Sequence, residues 1–133
     1  MLDLTNYRVQ GLVNPTSPDH LVTSRYADTF WLPRLGPSSM ALLRWISYQP
    51  NTTATVTLHD LSHELGLGGG HRQTTRSLER AISRLSDNHL ARRTPGRIEL
   101  SLTVPTLTAR HIAALDTRTK ALHTRLTGTT TKV

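Results

Sequence analysis

The stretch HRQTTRSLERAISRL, residues 71–85, sets an arginine at 72, 76, 80 and 84 and an apolar residue at 78, 81, 82 and 85. Residues advance by about 100° around a helix. Leu78, Ala81, Ile82 and Leu85 therefore share one face, and Arg72, Arg76, Arg80 and Ser83 lie opposite. Gln73 and Arg84 fall at one edge and Glu79 at the other. The spacing predicts an amphipathic helix that starts somewhere in 72–75 and ends near 88. Like charges four apart on a helix repel by a few tenths of a kcal/mol per pair, so the arginine row asks for a function.

Around this helix the charge is uneven. Residues 68–97 hold seven arginines against Glu79 and Asp87, a net of +5, whereas in residues 1–35 three arginines balance three aspartates. The whole chain of 133 residues has a formal charge of +7, and 14 of its 16 basic residues are arginine. A concentrated basic face is the footprint of a polyanion-binding surface, and arginine favours bidentate contact with phosphate and guanine edges.

Working outward, GPSSMALLRWISYQP (36–50) reads as a helix, with Pro37 at its first position and Pro50 at its end. TATVTL (53–58) is β-branched and reads as a strand near 54–58. HDLSHELGL (59–67) reads as a short helix that buries Leu58, Leu61 and Leu65 and is broken by Gly66. Past the arginine helix, Pro95-Gly96 marks a turn. Beyond it Ile98, Leu100, Leu102 and Val104 alternate with polar residues, the period of a half-buried strand. LARRT (90–94) is its partner, so Arg92, Arg93 and Arg97 cluster at a hairpin tip.

Residues 36–104 resemble a winged helix-turn-helix domain. The resemblance rests on TVTLHDLSHELGL (55–67), SLERAISRL (77–85) and HLARRTPGRIELSL (89–102), with Arg80-Ala81-Ile82, Leu85 and Leu90 at the matching positions. Two features depart from that pattern. The turn before the arginine helix is expanded to GLGGGHRQTT (66–75), and Asn88-His89 stand where glycine is usual. Asn88 tolerates the left-handed conformation that such a stop needs. The resemblance implies a mainly α fold with a small β-hairpin wing, flanked by an N-terminal extension and a C-terminal helix. The domains would be 1–35, an extension for dimer or core contact; 36–105, the winged unit; 106–127, a helix; and 128–133, a disordered tail.

The expected function is sequence-specific binding of double-stranded DNA by a homodimeric transcriptional regulator. Arg72, Gln73, Arg76, Ser77 and Arg80 are the candidates for reading base edges in the major groove. Thr74, Thr75, Arg84, Arg92, Arg93 and Arg97 are the candidates for phosphate or wing contacts. The alternatives are a plasmid or phage replication or partition protein and a winged-helix module for protein contact.

LTARHIAALDTRTKALHTRL (107–126) reads as one helix with a seam of Ile112, Leu115, Leu122 and Leu126 at near-heptad spacing. That seam would dimerise with a second subunit or pack on its own domain. Near the N-terminus YRVQGLV (7–13) reads as a short strand and VNPTSPDH (13–20) as a loop. Tyr26, Phe30 and Trp31 share one face of a short helix and read as core or dimer contact. Any small-molecule effector would bind near Trp31 or at the dimer seam.

Other chemistry is not expected. The chain has no cysteine, which excludes disulfides and thiolate metal sites. His59 and His63 stand four apart but not in the HExxH pattern, His111 and His123 read as surface residues, and neither a metal nor a cofactor is expected. The carboxylates are dispersed, and no phosphate-binding loop or nucleophile elbow occurs, so an enzyme is not expected. No apolar run reaches 18 residues, which suggests a cytoplasmic protein without a membrane partner.

Overall fold

The short segment NYRVQGL, Asn6–Leu12, alternates outward and inward side chains, with Tyr7, Val9 and Gly11 turned in. This is strand β1, and in the computed structural model, which describes residues 5–13, 20–67 and 75–127, it lies inside the main sheet. Strand β3 (Thr53–Thr57) pairs antiparallel on one side of it, with Tyr7 opposite Val56 and Val9 opposite Ala54. Strand β5 (Arg97–Ser101) pairs parallel on the other side, with Val9 beside Ile98 and Gly11 beside Leu100. Strand β4 (Ala91–Thr94) completes the hairpin and the order β3-β1-β5-β4. Strands β2 (His20–Leu21) and β6 (Thr103–Val104) form a separate two-stranded ribbon.

This architecture corrects the expected fold class. The described residues are 55% helical and 23% strand, with six helices and a four-stranded mixed sheet. The fold is therefore α/β, not a mainly α winged helix-turn-helix with a small wing. The cause is the position of β1. A parallel pair cannot be closed by a tight turn and needs a long crossover; between β1 and β5 the chain lays down β2, β3, β4 and four helices. The residues at the chain start are thus part of the common core.

The helices are α1 (Leu32–Leu35), α2 (Pro37–Ser47), α3 (Leu58–Glu64), α4 (Arg76–Asp87), α5 (Ala109–Ala113) and α6 (Thr117–Thr127). A π-type turn, Ala27–Trp31, leads into α1 and buries Phe30 and Trp31. Gly36, at φ 84° and ψ 161°, makes the corner into α2 in a region open essentially to glycine alone. One core joins Val9, Ile98 and Leu100 from the sheet to Leu42, Leu43 and Ile46 of α2, Leu58 and Leu61 of α3, and Leu78, Ile82 and Leu85 of α4. Each such side chain contributes roughly 1.5–3 kcal/mol when fully buried. Where α2 meets α4, the buried Ser39 hydroxyl donates to the Ala81 carbonyl at 3.1 Å. None of the described helices is long and apolar enough to cross a membrane.

Helix ends obey local chemistry. The Thr57 hydroxyl accepts the Asp60 amide at 3.0 Å and caps α3. Gly66, at φ 73°, closes α3, with Leu67 N–H donating to Ser62 O at 2.8 Å. The end of α4 differs from the expectation that Asn88 turns left-handed. Asn88 stays at φ −101°, and His89 takes φ 61°. Leu90 N–H then donates to Leu85 O at 2.8 Å and His89 N–H to Ser86 O at 3.0 Å, while both leucines enter the core. The Asn88 amide is already engaged with the Arg84 carbonyl at 2.8 Å.

The expected strand through Val104 is interrupted. Thr103 is buried and Leu102 only half-buried, so the alternation shifts between β5 and β6. The expected single helix over 107–126 is two. Thr108 caps α5 by accepting the His111 amide at 3.2 Å, and Asp116 accepts the Thr119 amide at 2.7 Å just ahead of α6. Two capping residues thus divide the near-heptad row. Ile112, Leu115, Leu122 and Leu126 pack against the chain's own core.

His123 is the anchor of α6, not the surface residue expected, and is 6% exposed. The Tyr26 hydroxyl accepts the Leu107 amide at 2.8 Å and donates to His123 Nε2 at 2.7 Å. Phe30 meets the imidazole edge-on at 4.8 Å between centroids. Burial, with a smaller contribution from His20, lowers the His123 pKa below its ordinary 6.5. A lowered histidine pKa means that the unfolded chain binds the proton more readily. The stabilisation is therefore complete above about pH 6.5 and falls as pH drops through that value toward the folded pKa. The urea midpoint should fall between pH 7.5 and pH 5, and His123→Gln should flatten that fall while lowering the midpoint at pH 7.5.

Gly11 tests the seat of β1. A Cβ there would lie 2.5 Å from Leu102 Cδ2 and 2.9 Å from Leu102 Cγ. Gly11→Ala should destabilise the chain by about 1–3 kcal/mol in urea unfolding. Adding Leu102→Val should recover part of the loss.

Candidate nucleic-acid interface

Helix α4 carries the arginine row, and its two faces are fully distinguished by burial. Leu78, Ala81, Ile82 and Leu85 are all buried, whereas Arg76, Ser77, Arg80, Ser83 and Arg84 are exposed. The apolar face holds the helix against α2 and the sheet, so the like-charge repulsion is tolerated. Arg72, Gln73 and Thr74 lie outside the described residues, as do the glycines of the 68–70 run and the 128–133 tail. Thr75 is half-buried just ahead of α4, and its carbonyl accepts the Glu79 amide at 2.8 Å.

The arginines of α4 are not equivalent. Arg84 turns back, and its Nη1 donates to the Leu35 carbonyl at the end of α1, at 3.2 Å. Its guanidinium therefore closes the corner at Gly36, where a Cβ would stand 2.9 Å from that same nitrogen. Arg76 and Arg80 form no ion pair with a carboxylate among the described residues. Beside Arg80 a groove of about 190 Å³ runs between α4 and the start of α2, lined by Ser77, Arg80, Arg84, Ser38 and Ser39.

The hairpin arginines divide as well. Arg93 stays exposed but is tethered: its Nη2 donates to the Tyr7 hydroxyl at 3.0 Å, and its Cζ lies 5.2 Å from the Tyr7 ring centre. Its Nη1 stands 3.6 Å from Glu79 of α4. The hydrogen bond to Tyr7 is the main cause of its raised pKa, with Tyr7 and Glu79 charge interactions adding to it. Arg93 thus ties β4 to β1 and to α4, and it offsets Glu79, one of the two exposed carboxylates of that helix, the other being Asp87 at its end. Arg92 and Arg97 are exposed on the sheet face that points away from the core. Arg97 donates to Gln10 Oε1 at 2.7 Å and approaches Glu99 at 3.5 Å.

Pairing of β1 with β5 adds residues that sequence reading did not include. Arg8 stands directly beside Arg97, and Gln10 beside Glu99, on the same open face. The alternation of NYRVQGL shows that Arg8 and Gln10 point away from the core. Nothing local shows which strand lies next to them, because the partners are 89 residues apart in sequence (97 − 8).

His59 and His63 acquire no further ligand: among the described residues no group of three histidines or carboxylates is placed to hold a metal. The neighbouring Glu64 carboxylate accepts the Trp45 indole N–H at 3.0 Å.

The division between Arg92 and Arg93 is measurable. Arg93→Ala should cost about 0.5–1 kcal/mol of stability through its lost cation–π contact and hydrogen bond. Arg92→Ala should stay within about 0.5 kcal/mol of wild type in urea unfolding.

Comparison with models of protein families, with curated proteins and with solved structures finds no match for this chain.

Proposed function

We propose that the chain binds double-stranded DNA sequence-specifically through the exposed face of α4, as a regulator of transcription. The observation that carries this reading is the pair Arg76 and Arg80. They stand one turn apart on an exposed helix face and have no carboxylate partner among the described residues. The helix has 12 residues and is about 18 Å long, a length that fits a major groove. Two arginines at this spacing reach neighbouring base edges or flanking phosphates, and Ser77 lies between them. Arg93 offsets Glu79, and the helix's other exposed carboxylate, Asp87, stands at its C-terminal end, so the part of the face around Arg76 and Arg80 keeps its positive potential.

Arg92, Arg97 and Arg8 supply a second basic area on the open sheet face. Their role in this reading is attraction of the phosphate backbone, a contribution that salt weakens. Ile112, Leu115, Leu122 and Leu126 are engaged within the chain, so the reading rests on one α4 per half-site and uses no C-terminal seam.

Selection from random duplexes, repeated at two salt concentrations, tests the reading. A preferred sequence is expected. Arg76→Ala or Arg80→Ala should remove about 1–3 kcal/mol of discrimination at one base position. Affinity confined to roughly 10⁻⁴–10⁻⁶ M with no preferred sequence would overturn it, as would an Arg76→Ala, Arg80→Ala double variant that binds like wild type.

A further inference from the structure

At the C-terminal end of α4 the structure holds a cavity of about 500 Å³, within the usual range for small-molecule sites. Its wall includes Trp31, Arg34, Asp87, His89, Thr106 and His111. Two of these carry opposite charges that folding leaves uncompensated. Arg34 forms no ion pair with a carboxylate among the described residues, and Asp87 forms none with a cation. They line one cavity, yet they do not pair with each other.

Neither charge is explained by helix chemistry alone. Asp87 is the last residue of α4, where the helix dipole is negative and a carboxylate is disfavoured. Arg34 lies over the Trp31 ring at 5.5 Å, and its Nη2 donates to His111 Nε2 at 3.3 Å. A guanidinium has no acceptor, so Nε2 must accept, and the imidazole proton sits on Nδ1. That Nδ1 is buried without a hydrogen-bond partner among the described residues. Keeping a buried donor unpaired is costly, and here it accompanies the orientation of His111 toward Arg34.

We infer that this cavity binds a small zwitterion of the α-amino acid class, with its carboxylate on Arg34 and its ammonium on Asp87. A plain anion would meet repulsion from Asp87, and a plain cation would meet it from Arg34. The ring of Trp31, with Leu90 and Pro105, offers the apolar part of the wall for the ligand's side chain. The Thr106 and Thr108 hydroxyls add acceptors and donors at the same wall. This inference stands apart from DNA binding, since it concerns the other end of α4 and its test contains no DNA.

The test is calorimetric titration of the intact chain with the twenty L-amino acids, one at a time. At least one is expected to bind with a Kd below about 1 mM. Its analogue without the amino group and its analogue without the carboxyl group should each bind at least about tenfold more weakly, a difference of 1.4 kcal/mol in binding. Arg34→Gln and Asp87→Asn, both at exposed positions, should each weaken the amino acid to a similar extent. Absence of binding by all twenty up to about 10 mM would overturn the inference. So would an analogue lacking either charge that binds as well as the amino acid, a result that needs no variant to fold.

Discussion

Strand β1 has to sit between β3 and β5, and most of the molecule follows from that one placement. Val9 is fully buried there, with Ala54 on one side and Ile98 on the other. Because β1 and β5 run parallel, their connection must be long, and the helical layer is the connection. Gly11 is the local condition for the arrangement, since Leu102 occupies the space a side chain would need. Tyr7 extends the same strand's influence: it holds Arg93, and Arg93 reaches Glu79. The sheet, the hairpin and α4 are thereby joined at a single arginine.

Helix α4 has a different job at each part of its surface. Its apolar face belongs to the core. Arg84 secures the corner at Gly36. Arg76 and Arg80 remain outward, and the last turn with His89 forms one wall of a cavity. The left-handed His89 lets the chain reverse directly into β4, so the cavity and the hairpin share one helix stop. A bulky non-glycine residue in that conformation costs about 1–3 kcal/mol, which the paired amides and the Leu85–Leu90 burial offset.

The C-terminal helices close the structure from the other side. Tyr26 bridges Leu107 and His123, and Trp31 donates its indole N–H to the Pro105 carbonyl at 2.8 Å. The aromatic cluster is therefore an internal fastener between the chain's two end regions. The same apolar residues that have the spacing of a dimer seam complete this fastening inside one chain.

The sequence by itself determined the local elements. The 3.6-residue period of 78, 81, 82 and 85, the period-two alternation of 98 and 100, the Pro37 start and the Gly66 stop all follow from short-range sterics and hydrogen bonding. Exposure of Arg76 and Arg80 was legible for the same reason, because the buried face of a helix defines its opposite face. Neighbours in the sheet were decided only by tertiary structure. YRVQGLV reads as a strand, but an alternating strand shows which side chains point inward and never which strand lies beside it. The parallel partner of β1 thus turned an expected appendage into the centre of the sheet and changed the fold class. Arg93 became a tie, Arg8 joined Arg97, His123 went inside, and Arg34 and Asp87 met around one cavity. Each of these depends on atoms far apart in the chain, brought together by burial of the core, which rewards contact without specifying it in any local run of residues.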